Sequence, residues 1–164
     1  MLMTFWGVRG SYPVPGAATV RYGGQTSCVE IRSASGECLI VDAGTGLRAL
    51  GQKLAREREG RPGRYHVLLS HVHWDHIQGL PFFAPLYAPG TKVHVVNGAN
   101  GTPTHEVLRR QMSAPTFPVD LNDVPAALTF AEVRERQRFH VGEAEVTVAK
   151  ANHPDQVYAY RVSS

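Results

Sequence analysis

Ser70-His71-Val72-His73-Trp74-Asp75-His76 is the stretch on which the reading of this chain turns. His71 and His73 stand two residues apart at the end of an apolar run, Tyr65-His66-Val67-Leu68-Leu69-Ser70. In extended backbone, side chains two apart point to the same side. Two neutral imidazoles converging there begin a zinc site, with bonds of about 2.0–2.1 Å. Asp75 and His76 follow where the backbone should turn, so they reach a second point close to the first. Carboxylate and imidazole are both accepted zinc ligands. There are eight histidines in 164 residues. Chance placement of three at these spacings beside an aspartate is on the order of one in a thousand. The cluster also follows a buried strand, where α/β proteins tend to place their sites.

Working outward, residues 65–70 read as a strand covered on both faces. Before them, residues 45–59 read as an amphipathic helix, with Leu47, Leu50 and Leu54 on one side. Gly60, Pro62 and Gly63 end it. Gly44-Thr45-Gly46 lacks the spacing of a phosphate loop and reads as a tight turn and helix start. Residues 2–8 form a first strand, and residues 27–32 and 37–41 a hairpin about Ser33-Ala34-Ser35-Gly36. With that turn centred between Ala34 and Ser35, Cys38 faces Ile31 and Cys28 faces Val41, which places the two thiols on opposite faces. Beyond the cluster, residues 77–87 read as a loop with one short helical turn. Residues 92–96 are a strand, and 104–112 a helix with Thr104 as N-cap. Residues 128–133, 138–141 and 145–149 read as successive strands. Asn152-His153-Pro154 interrupts the pattern before a last strand over 157–162. Helices mixed with hairpins indicate layered α and β structure.

The bulk properties fit one domain over residues 1–164. The chain is 43% apolar and 19% charged, with a net charge of +3. The arginines are scattered, without the dense basic block of a nucleic-acid tail. A mildly positive surface suits an anionic substrate. Two cysteines, Cys28 and Cys38, make no disulfide framework, and a reducing cytoplasm is the default. Nothing approaches the roughly 20 apolar residues of a membrane span, and the N-terminus reads as a strand, not a signal peptide.

The chain resembles the metallo-β-lactamase-fold hydrolase superfamily. His71-Val72-His73-Trp74-Asp75-His76 matches its signature, Leu39-Ile40-Val41-Asp42-Ala43-Gly44-Thr45-Gly46 its Asp-x-Gly segment, and Asn152-His153-Pro154 its later single-histidine motif. Gly7-Val8-Arg9-Gly10-Ser11 and Tyr22-Gly23-Gly24-Gln25-Thr26-Ser27-Cys28 are similar to the phosphodiesterase-like and ribonuclease Z-like branch. The resemblance implies an α+β fold, a four-layer αββα sandwich with the first half complete and the second only partly present. It implies that His71, His73 and His153 hold one zinc, and that Asp75 and His76 hold a second. Manganese or iron are alternatives to zinc. Asp42 would stand behind a ligand histidine; its other reading is a local turn carboxylate bonding the amides near Gly44 and Gly46.

The implied activity is hydrolysis, foremost of phosphodiesters, by attack of a metal-activated hydroxide. Asp75 would be the catalytic carboxylate, orienting the attacking group and taking its proton. Thioester, lactone and lactam substrates stay open, as does an RNA-processing role. The family pattern also has a bridging aspartate and a final histidine. These cannot be placed before Ser164, and Asp155 lies too close to His153 to be that aspartate. The expectation is therefore a C-terminally incomplete domain with a weakened second metal site. The exposed last strand would also invite association between copies of the chain, and the alternative function is a zinc-binding domain without turnover.

Overall fold

In the computed structural model, which describes residues 1–99 and 101–163, two sheets pack face to face. Strands β1 (Leu2–Gly7), β2 (Cys28–Arg32), β3 (Cys38–Val41), β4 (Arg64–Leu68), β5 (Lys92–Gly98) and β6 (Ala127–Val133) form the first sheet in that order. The first three pair antiparallel, and β3 to β6 run parallel. Parallel neighbours need crossovers. Helix α1 (Gly46–Arg58) joins β3 to β4, the short α2 (Trp74–Ile77) with two 3-10 turns joins β4 to β5, and α3 (Thr104–Gln111) joins β5 to β6. The second sheet is an antiparallel meander of β7 (Arg138–Val141), β8 (Ala144–Ala151) and β9 (Val157–Ser163).

Two cores follow from the alternation of side chains along the parallel strands. On one face Tyr65, Val67, Val93 and Val95 meet Leu47, Leu50 and Leu54 of α1, with Leu80, Phe83 and Leu86 from the 3-10 turns. On the other face Leu39, Leu68 and Val96 meet Val146, Val148 and Tyr158 of the second sheet. Burying each such leucine contributes about 1.5–3 kcal/mol. Strand β4 is thus covered on both sides, as its apolar run required. Helices, sheet and sheet make three layers among the described residues. No helix among them is long and apolar enough to cross a membrane.

The α1 helix begins where Thr45 and Thr26 exchange hydrogen bonds: the Thr26 amide donates to Thr45 Oγ1 and the Thr45 amide to Thr26 Oγ1, each at 2.8 Å. It ends at Glu59, which turns left-handed at φ 51° ahead of Gly60. Two expectations are corrected. The β2–β3 register pairs Arg32 with Cys38 and Val29 with Val41, one residue from the expected pairing. Ser33 N–H donates to Glu37 O, leaving Ala34, Ser35 and Gly36 as a three-residue loop with Gly36 at φ +87°. A one-residue slip reverses the faces, so Cys28 and Cys38 lie in the same core, both as free thiols. Thr104 is not the cap of α3. Pro103 takes that position, and Thr104 is buried with its Oγ1 accepting from Asn97 Nδ2 at 3.1 Å.

Candidate metal centre

Strand β4 ends beneath the cluster, and the two carbonyls that follow it tie the sheets together. Leu69 O accepts from Tyr160 Oη at 2.7 Å, and Ser70 O accepts from Tyr158 N at 2.8 Å. Residues 71–73 then leave the strand end. His73 is the extended residue before α2, which carries Asp75 and His76 in its single turn. His153 arrives from the other sheet, on the turn between β8 and β9.

The segment 71–79 is seated on the turn after β3 by close backbone contacts. Ala43 N–H donates to His76 O at 2.7 Å, and Gly79 N–H donates to Ala43 O at 2.8 Å. A Cβ on Gly79 would stand 1.9 Å from Gly44 O, and one on Gly44 would stand 2.4 Å from Asp75 O. Glycine at both positions is what allows the two turns to touch.

His71, His73 and His153 each offer a ligand atom, and these atoms lie within 4.8 Å of one another. His71 is buried, while His73 and His153 are exposed. The His76 ring stacks tilted on His71, centroids 4.1 Å apart. Its Nε2 lies 3.4 Å from Asp75 Oδ2. The five residues therefore divide into a three-histidine group and an Asp75–His76 pair beside it.

Asp42 organises both groups from behind. It is buried and left-handed, at φ 62°, a conformation that aspartate tolerates better than most residues. Its Oδ1 accepts from Ser70 N and Ser70 Oγ, both at 2.8 Å. Its Oδ2 accepts from Ser27 Oγ at 3.0 Å and lies 2.7 Å from His76 Nδ1. An ionised carboxylate only accepts, so a neutral His76 carries its proton on Nδ1 and keeps its Nε2 lone pair free. The Ser70 hydroxyl spends its single proton on Asp42. It can then only accept from His71 Nδ1, 3.1 Å away, which frees His71 Nε2 as well. Asp42 thus sets two tautomers, one directly and one through Ser70. The amides of Gly44 and Gly46 bond Ser27 O and Thr26 O instead of Asp42, so the local-turn reading of Asp42 does not describe it.

Burial, with His76 and His73 close by, pushes the His71 imidazole down to about 4. It is neutral at pH 7, as a ligand must be. Burial also acts to lower His76, but the hydrogen bond and negative charge of Asp42, with Asp75 behind, raise it overall.

Three contacts escape a reading of the sequence. Ser11 N–H donates to Asp75 Oδ2 at 2.8 Å, across 64 residues. Asp155 Oδ2 lies 2.8 Å from His73 Nε2. The Asp155 amide donates to His153 Nδ1 at 3.1 Å, so a neutral His153 keeps its proton on Nε2 there. Ligation through Nε2 requires that contact to be released. Proximity of Asp155 to the His153 motif was the one available signal. Nothing near Ser11 in the sequence announces its contact. His66, His94 and His105 lie elsewhere, His66 against His94 and His105 bonded to Asn122.

A family model described as the metallo-beta-lactamase superfamily matches residues 21–157. Among solved structures, the chain is similar to the metallo-beta-lactamase fold protein YhfI from Bacillus subtilis. That match has 20% identity and a TM-score of 0.67, covering 98% of this chain and 56% of that one. It is similar to Zn(2+)-bound PqqB from Methylobacterium extorquens at 17% identity and TM-score 0.61, covering 99% of this chain and 58% of that one. The metallo-beta-lactamase MIM-2 matches at 17% identity and TM-score 0.52, with 85% of this chain and 51% of that one covered. The chain thus spans little more than half the length of these proteins. No curated protein matches it.

Proposed function

The chain belongs to the metallo-beta-lactamase superfamily, and on that footing we propose that it is a metal-dependent hydrolase of phosphodiester bonds. The observation that carries the reading is the convergence of His71, His73 and His153 within 4.8 Å, beside the Asp75–His76 pair.

The donor set fits a borderline divalent ion such as zinc, with manganese or iron as alternatives. His71 is held neutral with its proton on Nδ1 through Ser70, and a neutral His76 carries its proton on Nδ1 toward Asp42. His71, His73 and His153 would hold one ion, Asp75 and His76 a second. Such ions supply Lewis acidity and a water acidified to near neutral pH.

The protein's own groups do the rest. Asp75 Oδ2 is anchored by the Ser11 amide, which leaves Oδ1 without a hydrogen-bond partner among the described residues and able to take a proton from an attacking water. Asp42 holds His76 directly and His71 through Ser70. The exposed rings of His73 and His153 face the side from which a substrate would enter. The phosphodiester preference rests on the likeness of residues 7–11 and 22–28 to the phosphodiesterase-like branch. It also rests on the small positive net charge. The free thiols Cys28 and Cys38 support a cytoplasmic setting.

The test is turnover of bis(4-nitrophenyl) phosphate with added zinc or manganese, in the native chain and in His73→Ala. Hydrolysis that disappears in His73→Ala supports the proposal. Metal uptake without turnover would reduce the protein to a metal-holding domain. Turnover unchanged by His73→Ala would place the chemistry elsewhere.

A further inference from the structure

The first 29 residues contain no aspartate or glutamate, and the first acid along the chain is Glu30. Arg9 and Arg21 both belong to this segment. Between β1 and β2 the chain doubles back. The amides of Val8 and Arg9 donate to Gln25 O at 3.1 and 3.0 Å, and that of Val14 donates to Gly24 O at 2.8 Å. The fold-back closes a cleft of about 420 Å³, with Arg9, Arg21, Val8, Thr19 and Tyr22 on its walls. That volume lies in the range of small-molecule sites.

Neither guanidinium makes an ion pair among the described residues; the arginines that do are Arg32, Arg61, Arg109 and Arg138. Arg9 stands over the Tyr12 ring at 5.9 Å and Arg21 over the Tyr22 ring at 5.0 Å. Arg9 Nε is buried and has no hydrogen-bond acceptor among the described residues. A buried N–H on a charged group is costly when unpaired, and the planar guanidinium fork is matched by carboxylate or phosphate oxygens. No carboxylate of this segment can supply them. Two residues beyond Arg9, the Ser11 amide holds Asp75, so one short stretch of backbone serves both the cleft and the candidate metal centre.

We propose that this cleft is a subsite for a phosphate group, distinct from the ester that would be cleaved at the histidines. The substrate then carries a phosphate of its own besides the scissile bond, with the rest of the cleft taking the organic group attached to it. This rests on the hydrolase reading for its place in a reaction, but the binding itself does not need the metal.

Binding of inorganic phosphate to the full chain in EDTA, followed by 31P line broadening at constant ionic strength with chloride as the balancing anion, tests it. Phosphate is expected to bind saturably and equally in the native chain and in His73→Ala. Affinity should fall at least about tenfold in Arg9→Gln and in Arg21→Gln, as for loss of a charge-assisted bond. Arg21 is exposed, so its variant keeps the test valid should Arg9→Gln misfold. Absence of saturable binding in the native chain, or equal affinity in Arg21→Gln and the native chain, would overturn the proposal. Because these measurements are made without metal, they are independent of whether phosphodiester turnover is observed.

Discussion

Asp42 Oδ2 lies 2.7 Å from His76 Nδ1, and Asp42 Oδ1 lies 2.8 Å from the Ser70 hydroxyl that leads on to His71. One carboxylate therefore orients a histidine of each proposed metal group. Asp42→Asn retains tolerance for the left-handed backbone but replaces one acceptor oxygen by a donor. Metal affinity is expected to fall about 10–100-fold, the usual effect of removing such a partner, with secondary structure intact. Calorimetric titration with zinc measures it. Ser70→Ala should weaken the three-histidine group more than the Asp75–His76 pair, since His76 keeps its direct contact with Asp42 at 2.7 Å whereas His71 reaches Asp42 through Ser70.

Gly79 sits at φ −82°, a conformation open to any residue. Substitution by alanine is opposed only by contact, since the new Cβ would stand 1.9 Å from Gly44 O. The obstacle is backbone and cannot rotate away. Gly79→Ala should cost about 1–3 kcal/mol, at the upper end for overpacking. It should also weaken metal binding by lifting the turn that carries Asp75 and His76. Urea melts of the metal-free chain separate the two effects.

Glu30 is buried and receives Trp6 Nε1 at 3.0 Å, Arg32 Nε at 2.6 Å and Lys53 Nζ at 3.3 Å. Burial alone would raise its carboxyl, but the bonds from Arg32 and Trp6 with the charges of Arg32 and Lys53 hold it below the ordinary 4.5. The stabilisation is thus complete above that ordinary value and is lost as pH falls through the lower folded value. Glu30→Gln should cost about 1–3 kcal/mol at pH 7. The gap from the native chain should close below pH 4.5, as followed by denaturant midpoints against pH.

Cys28 and Cys38 share one core. Burial pushes the Cys38 thiol up to about 12 and Cys28 higher still. Since the thiolate is the reactive form, neither should react with Ellman's reagent in the folded chain at pH 8. Both should titrate once urea unfolds it. Prompt native-state reaction of either thiol would contradict the packing.

Much of this was legible from local pattern. The spacing of Leu47, Leu50 and Leu54 marked α1, and the apolar run before Ser70 marked a strand covered on both faces. The two-residue step from His71 to His73 told which way the rings would point. The errors arose where a single residue decides. Gly36 in the left-handed region lengthens the hairpin loop to three residues, and that alone moved both thiols to one face. Pro103 has the fixed φ of a helix start and displaced Thr104 from the cap. The contacts of Ser11 with Asp75 and of Asp155 with His73 depend on how distant segments lie in space. No periodicity records them. Asp155 stands too near His153 in the chain for the family's bridging position, yet its carboxylate reaches the cluster because the β8–β9 turn folds over the end of β4.

The histidines come from both sheets: His71 and His73 leave the end of β4, and His153 rides the turn of the β8–β9 hairpin. An ion held by all three would be a reversible cross-link closing a chain loop of about eighty residues, so closing it costs several times RT in entropy. That cost is met by ligation, which makes free-metal concentration a setting on the protein's mechanical integrity as well as on its chemistry. Starved of metal, the β7–β9 sheet would be the first part to loosen, held at that end by the bonds of Tyr158 and Tyr160 and by the Asp155–His73 contact. Supplied with metal, the two sheets would be expected to melt as one.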